Sequence, residues 1–436
     1  MLAHGIGGRE DLPLPLEWVI AGAAVAVLVS FVALGALWRE PRLRGAEAGR
    51  PLPAGLAALL DARWFRRTLA AVGAVFAGYV ALALVFGKDD ANNPVPWVVY
   101  VLIWVGLVPV SVLLGPVWRQ LSPLRTIHTG LNRILGLDPR EGMAPLPAWV
   151  GWWPAAFGLF AFTWMELIAD DPASLTVLRA AIGLYAGLQL LAALYFGSDW
   201  FTRGEAFEAW SGLFGRFSAL GRRQDGVLVL RNPLAGLDAL RPHPGLVATV
   251  VVMLSSTAFD SFSGSSRFQA FAQSSPMNRT LLDTLALLLV IAVIGGLFVL
   301  CTMAAGRLGG VPARTMPGLF AHSVVPVALG YVLAHYYSFL VLEGQQAFVQ
   351  LTDPLGIGAN WLGTGGLTPD ATLVNPTLVA NFQVAAIVAG HIIGVALAHE
   401  RAVQLFPRRV AVLGQLPLLL LMVALTCLGL LLLFAS

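Results

Sequence analysis

The sequence predicts an all-α, polytopic transmembrane helix bundle of about ten spans, with the N-terminus and the C-terminus outside. Hydrophobic residues make up 57% of the 436 residues and charged residues only 12%, whereas about a quarter of a soluble domain is charged. The apolar residues form runs long enough to cross the hydrocarbon core of a bilayer. Basic residues gather in alternate loops, as the positive-inside rule requires.

Ten apolar segments define the predicted spans. They make up a single transmembrane domain, 16–436, which a short extracytoplasmic tail, 1–15, precedes. The segment 244–262 has the weakest signal, because it ends in the polar run SSTAFDSFSG. The predicted spans are 16–38, 68–87, 97–115, 148–168, 174–196, 244–262, 281–305, 318–343, 379–399 and 411–434.

The loops between the spans predict the orientation of the chain and its partners. Most of the 27 Lys and Arg residues follow the odd-numbered spans, so these loops are predicted to be cytoplasmic. Loop 197–243 predicts an amphipathic helix whose arginines face lipid headgroups. Segment 345–378 has many glycines and no Lys or Arg, and predicts an ordered outer cap or a re-entrant segment. The predicted location is the cell membrane. No nucleic-acid surface is predicted, because the positions of the basic residues are explained by the orientation of the chain in the membrane.

Two histidines inside predicted spans are candidate functional residues, because ionisable groups are costly within a bilayer. His335 lies about 12 Å from the outer end of its span and His391 about 18 Å deep, at 1.5 Å per residue. Gly390 and Gly394 form a small-residue ridge, which predicts that His391 faces protein. The pair suits a divalent transition metal, axial ligation of haem or a proton relay. The alternative is hydrogen bonding that only holds the helices together.

Three carboxylates near the outer ends of spans complete the candidate set: Glu166, Asp260 and Glu343. Carboxylates and histidines together can hold a divalent metal, which lowers the pKa of a bound water and makes it a nucleophile. The alternative is that acidic residues cluster where span ends meet water. That alternative is weaker for Glu166 and Asp260, which have apolar neighbours in the sequence.

Six segments along the chain together carry a family resemblance. They are HGIGGREDLPLP, LRNPLAGLDALRPHPGLVA, STAFDSFSGSSRF, HYYSFLVLEGQ, TDPLGIGANWLGT and a GH-x7-H pattern at 390–399. In these segments, and over nearly its whole length, the chain resembles the actinobacterial multi-pass membrane family known as fenitrothion hydrolases. The resemblance implies hydrolysis of an organophosphate aryl ester, a small apolar substrate.

No serine or cysteine nucleophile motif is present, so the implied chemistry is attack by a metal-bound hydroxide. The expected metal ligands are His335, His391 and Asp260, with Glu166 or Glu343 as general base or supporting group. Two alternatives from other classes stay open. One is a proton- or metal-coupled transporter, and the other is a haem- or copper-handling redox protein.

Overall fold

The computed structural model describes residues 9–434. Over that range, nine helices are long and apolar enough to cross a membrane. The protein is therefore a polytopic membrane protein of the all-α class. We number these helices in chain order: α1 Leu16–Leu37, α2 Arg63–Phe86, α3 Pro94–Leu114, α4 Leu175–Phe196, α5 Leu246–Gly264, α6 Arg279–Gly309, α7 Ala313–Gln350, α8 Pro376–Leu405 and α9 Leu413–Phe434.

Nine of the ten predicted spans are confirmed as membrane-length helices. The exception is the predicted span 148–168, which contains a helix of 15 residues, Trp153–Leu167. Such a helix is about 22 Å long, shorter than the hydrocarbon core of about 30 Å. Part of the predicted tail, residues 1–8, lies outside the described residues.

The directions of α1 and α8 favour a tenth crossing. At their C-terminal ends, His399 Nε2 lies 2.8 Å from the carbonyl oxygen of Trp38. At their N-terminal ends, Leu16 and Ala380 share one hydrophobic cluster. The two helices therefore run in the same direction. If the nine long helices were the only crossings, α1 and α8 would run in opposite directions, so their parallel arrangement favours one more crossing between them. Trp153–Leu167 is the apolar helix in that interval that fits.

The described chain forms two compact units. Unit 1 comprises residues 9–46, 234–339 and 372–434, and unit 2 comprises 47–233 and 340–371. Helix α7 contributes residues to both units. The single transmembrane domain 16–436 and the outward position of both termini stay predictions.

Unit 1 has α5 in its interior. Of the apolar window of α5, 78% is buried, compared with 17% for α1 and for α6. A helix that is buried on most sides needs no lipid-facing surface, and it can carry polar groups that pair with its neighbours. This position explains the weak hydropathy signal of segment 244–262. Helices α1, α8 and α9 pack on α7 through a cluster that includes Leu16, Tyr331, Ile387 and Leu430.

Helix α7 is interrupted at its N-terminal end. It begins with the turns Ala313–Thr315, Met316–Phe320 and Ala321–Ser323 and continues as the long α-helix Val325–Gln350. Pro326 lies in the first turn of that long helix, where a missing backbone N–H costs nothing.

Unit 2 contains α2, α3, α4 and most of the short elements. Helix α3 includes a π-helical stretch, Trp97–Val105. A small antiparallel sheet has the order β1-β3-β2, with strands β1 Arg50–Pro51, β2 Leu220–Arg222 and β3 Leu228–Leu230. Across residues 9–434, the shorter helices are Arg9–Asp11, Gly45–Glu47, Ala54–Asp61, Trp118–Leu121, Pro123–Ile134, Trp153–Leu167, Asp199–Gly204, Ala206–Phe214, Gly215–Phe217, Pro233–Asp238, Ser266–Ser274 and Ala371–Leu373.

Loop 197–243 differs from the single amphipathic helix that its sequence predicts. The structure has two short helices, Asp199–Gly204 and Ala206–Phe214, followed by two strands. Seven of the nine residues of Ala206–Phe214 are buried, so this helix belongs to the interior of unit 2.

The predicted cap 345–378 is shorter in the structure, because α7 extends to Gln350 and α8 begins at Pro376. Within unit 2 its first part is an ordered loop. The carboxylate of Asp353 accepts hydrogen bonds from the backbone N–H groups of Ile357 and Gly358, at 3.1 and 2.7 Å. Residues 351–375 contain no re-entrant α-helix.

Candidate functional site

Two polar residues near the C-terminal end of α5 lie in the interior of unit 1. Asp260 is 2% exposed and Ser261 5% exposed. A serine hydroxyl within a helix can bond back to a carbonyl of the preceding turn. One such bond joins Ser256 Oγ to the Met253 carbonyl oxygen at 3.0 Å. The α-helical path thus carries a carboxylate and a hydroxyl into an apolar bundle.

Helix α7 supplies the partners of Asp260. The Oδ2 atom of Asp260 accepts a hydrogen bond from His335 Nε2 at 2.9 Å and another from the Tyr336 hydroxyl at 2.8 Å. His335 and Tyr336 are each 7% exposed. A buried carboxylate is tolerated when it is paired and hydrogen-bonded. The structure therefore brings together two of the sequence-predicted site residues, Asp260 and His335.

The hydrogen bonds around His335 have one consistent direction when Asp260 is ionised. The carboxylate then accepts the proton on Nε2, which leaves Nδ1 of His335 as an acceptor. Ser261 Oγ lies 3.1 Å from Nδ1 and donates to it. The Tyr331 hydroxyl in turn donates to Ser261 Oγ at 3.0 Å. We call these four residues, Tyr331, Ser261, His335 and Asp260, the polar chain.

Aromatic contacts fix the orientation of the His335 ring. The ring of Tyr331 is stacked near it, with centroids 6.3 Å apart and planes 18° apart. The ring of Tyr336 meets it edge-on at 4.7 Å. Both nitrogens of His335 therefore point steadily towards their partners on α5.

His391 is not part of the polar chain. Its Nδ1 atom donates to the carbonyl oxygen of Ile387, one turn earlier in α8, at 2.9 Å. The residue is 1% exposed, and its Nε2 atom has no hydrogen-bond partner within residues 9–434. His391 and Tyr331 both line one small cavity among the helices of unit 1.

The small-residue ridge beside His391 packs as the sequence predicts. A Cβ atom at Gly390 would lie 2.6 Å from the carbonyl oxygen of Pro326, and one at Gly394 would lie 2.7 Å from that of Ser323. On α7, a Cβ at Gly330 would lie 2.4 Å from the Ala386 carbonyl oxygen. The backbones of α7 and α8 therefore touch, and His391 faces protein.

The three expected metal ligands are not gathered around one point. His335 and Asp260 bond to each other, and His391 bonds to its own helix. In the part of the chain that the structure describes, no group of three His, Cys, Asp or Glu side chains could hold a metal ion. The donor set therefore does not fit the expected metal. Haem ligation and a copper site stay predictions.

Glu166 and Glu343 belong to unit 2, whereas the polar chain belongs to unit 1. Glu166 lies in the last turn of the short helix Trp153–Leu167, and Glu343 lies in the part of α7 assigned to unit 2. Both side chains are half-buried. Their expected role as general base or supporting group stays a prediction.

Unit 2 contains a buried carboxylate pair that the sequence analysis missed. Glu205 is fully buried, and it caps Ala206–Phe214 by accepting from the N–H groups of Phe207 and Glu208, at 3.0 and 2.6 Å. It also accepts from the Tyr185 hydroxyl and from Trp118 Nε1. Burial raises the pKa of Glu205 to about 7, and the charge of nearby Glu208 adds to this rise, whereas the Tyr185 hydrogen bond opposes it.

Glu208 has a charged partner of its own. Arg125 binds its carboxylate with Nε at 2.5 Å and Nη2 at 2.7 Å, a bidentate pair. The available signal was the spacing of Glu205 and Glu208, two acids three residues apart in an otherwise apolar segment. A solvated interfacial helix would place both in water, whereas two acids among Trp and Phe indicate a buried network.

The raised pKa of Glu205 predicts a stability that depends on pH. Between about pH 4.5 and pH 7 the folded protein binds more protons at this residue than the unfolded chain does, so stability falls as pH rises through that window. A shift from 4.5 to about 7 corresponds to about 3 kcal/mol. The Glu205→Gln variant is expected to lack this slope. Thermal unfolding midpoints of both proteins in one detergent, measured at several pH values, give the difference. Parallel pH profiles would contradict the prediction.

A second missed carboxylate fastens the C-terminal end of α8. Glu400 is fully buried and accepts from Trp38 Nε1 at 2.7 Å and from the backbone N–H groups of Arg42 and Leu43, at 3.0 and 2.9 Å. These bonds tie the segment after α1 to α8. Four donors surround the group when Gln404 is included, which indicates a structural role.

Comparison with known proteins gives no family for this chain. It matches no family model, no curated protein and no solved structure.

Proposed function

We propose that the protein is a proton-coupled membrane transporter and that the Asp260–His335 pair is its proton-binding site. The observation that supports this is the buried polar chain between two membrane-length helices, α5 and α7. Ionisable groups inside membrane helices are costly, and chains of Asp and His occur in pumps and transporters as proton relays. Each residue of the polar chain donates a hydrogen bond to the next, and the chain ends at the carboxylate of Asp260.

Protonation would change the net charge of the site by one unit. The ionised Asp260 with neutral His335 carries one negative charge, and one added proton makes the pair neutral overall. The cost of burying a net charge in an apolar bundle is high. The two protonation states therefore favour different packing of α5 against α7, and this difference is what couples proton binding to a conformational change.

Proton uptake by the purified protein tests this proposal. Detergent-solubilised protein in weakly buffered solution is moved from about pH 8 to about pH 5.5, the range in which an imidazole titrates, and a pH indicator counts the protons bound. The Asp260→Asn variant is expected to bind about one proton fewer than the wild type. The control is Asp283→Asn, which removes another aspartate of unit 1 that is paired with Arg279 at 2.7 Å, and it should keep wild-type uptake. Equal uptake by wild type and Asp260→Asn would contradict the proposal.

A second function, a hydrolase, is favoured by one specific contact. Ser261 Oγ stands 3.1 Å from His335 Nδ1, and Asp260 holds the opposite nitrogen of the same ring. Serine, histidine and a carboxylate in this order form the machinery of nucleophilic catalysis. In such a step Ser261 Oγ would attack phosphorus of an organophosphate aryl ester, the aryloxide would leave, and the serine proton would pass to His335 Nδ1.

We place this second function after the first because Ser261 is 5% exposed and its Oγ already accepts the Tyr331 hydrogen bond. The substrate class comes from the family resemblance alone. A dialkyl aryl phosphate with a coloured leaving group separates the two functions. A hydrolase would release aryloxide and carry a phosphoryl adduct that is absent from Ser261→Ala, as intact mass would show. If no phosphoryl adduct forms and no aryloxide is released, the hydrolase proposal fails and the transporter remains the proposed function.

We propose the lipid bilayer as a partner, and the nine membrane-length helices of residues 9–434 support this. We propose the cell membrane as the location, because the loops rich in arginine match one face of a membrane with anionic lipids on its cytoplasmic side. We propose a small apolar molecule as the substrate, the class that the family resemblance implies.

A further inference from the structure

The small cavity in unit 1 lies at the end of the polar chain. Tyr331 and His391 line it, and the other lining residues are apolar, among them Ala258, Ile294 and Leu428. Its volume is about 20 Å³, counted as the space open to the centre of a water-sized sphere. About 10–15 Å³ by this measure is enough for one water molecule.

His391, which lines the cavity, carries a hydrogen-bond acceptor. Because Nδ1 donates to the Ile387 carbonyl at 2.9 Å, the neutral imidazole carries its proton there, and Nε2 is an acceptor. Nε2 is buried without a partner in residues 9–434. A buried acceptor of this kind is costly to leave unsatisfied.

Tyr331, the other polar residue that lines the cavity, supplies a second acceptor. Its hydroxyl proton is donated to Ser261 Oγ at 3.0 Å, so the phenolic oxygen keeps lone pairs for a further bond. A water molecule has two protons to donate, and the two residues that line the cavity offer two acceptors. The apolar remainder of the cavity has no place for a larger polar molecule.

We propose that the cavity binds one water molecule, which links His391 Nε2 to Tyr331 and extends the polar chain to α8. This inference rests on the proposed proton-coupled function and deepens it, because it assigns the route by which a proton reaches Asp260. The proton enters at His391 and leaves the route at Asp260.

The transfer balances along the chain. Protonated His391 gives its Nε2 proton to the water, and the water gives one of its own to the Tyr331 oxygen. Tyr331 passes its hydroxyl proton to Ser261, and Ser261 passes its proton to His335 Nδ1. His335 releases its Nε2 proton to Asp260. Every intermediate group gains one proton and loses one, so the net change is one proton moved from His391 to Asp260.

The experiment fills the cavity and observes His391 directly. Nitrogen NMR of histidine-labelled protein in detergent, with the His391 signal assigned from a His391→Phe sample, reports whether Nε2 accepts a hydrogen bond. The filling variant is Ala258→Leu, and Ala258→Val is a smaller filling in case the larger one fails to fold. The matched control is Ala248→Leu, the same change on α5 at a half-buried residue that does not line the cavity.

We expect a hydrogen-bonded Nε2 signal in wild type and Ala248→Leu, and a shift towards an unbonded nitrogen in both Ala258 variants. Proton uptake in the Ala258 variants is expected to be roughly tenfold slower, with the final number of protons unchanged. An unbonded Nε2 in wild type, or a signal and rate that filling leaves unchanged, would overturn the water site. If uptake never depends on Asp260, the proposed function fails instead, whatever the NMR signal shows.

Discussion

The Asp260→Ala variant is expected to lose about 3 kcal/mol of folding free energy together with all Asp260-dependent proton uptake. Without the carboxylate, His335 Nε2 and the Tyr336 hydroxyl both lose their acceptor in the interior of unit 1. Asp260→Asn keeps one carbonyl oxygen for these donors, so its stability loss should be smaller. Thermal unfolding midpoints in a single detergent rank the variants by stability.

Asp283→Ala is the matched control for the stability loss expected of Asp260→Ala. Asp283 is the other buried aspartate in a membrane helix of unit 1, but its partner Arg279 has a side chain that is 46% exposed. Water can solvate that guanidinium once the aspartate is gone, so the expected loss is about 1 kcal/mol or less. If Asp260→Ala and Asp283→Ala were equally stable, Asp260 would not be the anchor of the polar chain.

The Gly330→Ala variant is the second large effect, with an expected loss of about 3 kcal/mol. The new Cβ atom would lie 2.4 Å from the Ala386 carbonyl oxygen. That atom belongs to the α8 backbone and cannot rotate away, so α7 and α8 must separate. The separation would also disturb Tyr331, the next residue of α7, and His335, which lies just over one turn further along.

Gly296→Ala on α6 controls for the change in backbone flexibility. A Cβ at Gly296 meets nothing within 4 Å, and alanine favours a helix by up to about 1 kcal/mol over glycine. The control should therefore unfold at the same temperature as wild type or slightly higher. A Gly330→Ala protein as stable as Gly296→Ala would show that the two helices do not touch as described.

The sequence predicted the helices well because a bilayer imposes a simple rule on each segment. Length and apolar composition decide whether a segment can span, and both are local properties. The ridge of Gly390 and Gly394 was also readable, because small residues four apart share one face of a helix. Its contact with the carbonyls of α7 confirms that His391 faces protein.

Local rules of this kind could not predict the contact between Asp260 and His335. Asp260 and His335 are 75 residues apart, and their contact depends on which helices are neighbours and on how each is rotated. His335 and His391 form a pair in the sequence-based prediction because both lie at mid-depth, whereas the rotation of α7 turns His335 towards α5. The same reason hid the network of Glu205, which depends on how a short helix docks in unit 2 rather than on its own pattern.

Helix α5 also has a consequence for how the chain is made. It is the least apolar of the nine long helices, and an aspartate at the centre of a segment costs about 3 kcal/mol on insertion, somewhat less near an end. Its partner His335 is synthesised 75 residues later, roughly 4 to 15 s at ordinary translation rates. During that interval the nascent α5 has no neighbour for its carboxylate. We therefore expect α5 to be held beside the insertion machinery until α7 emerges, so that the two helices enter the lipid together.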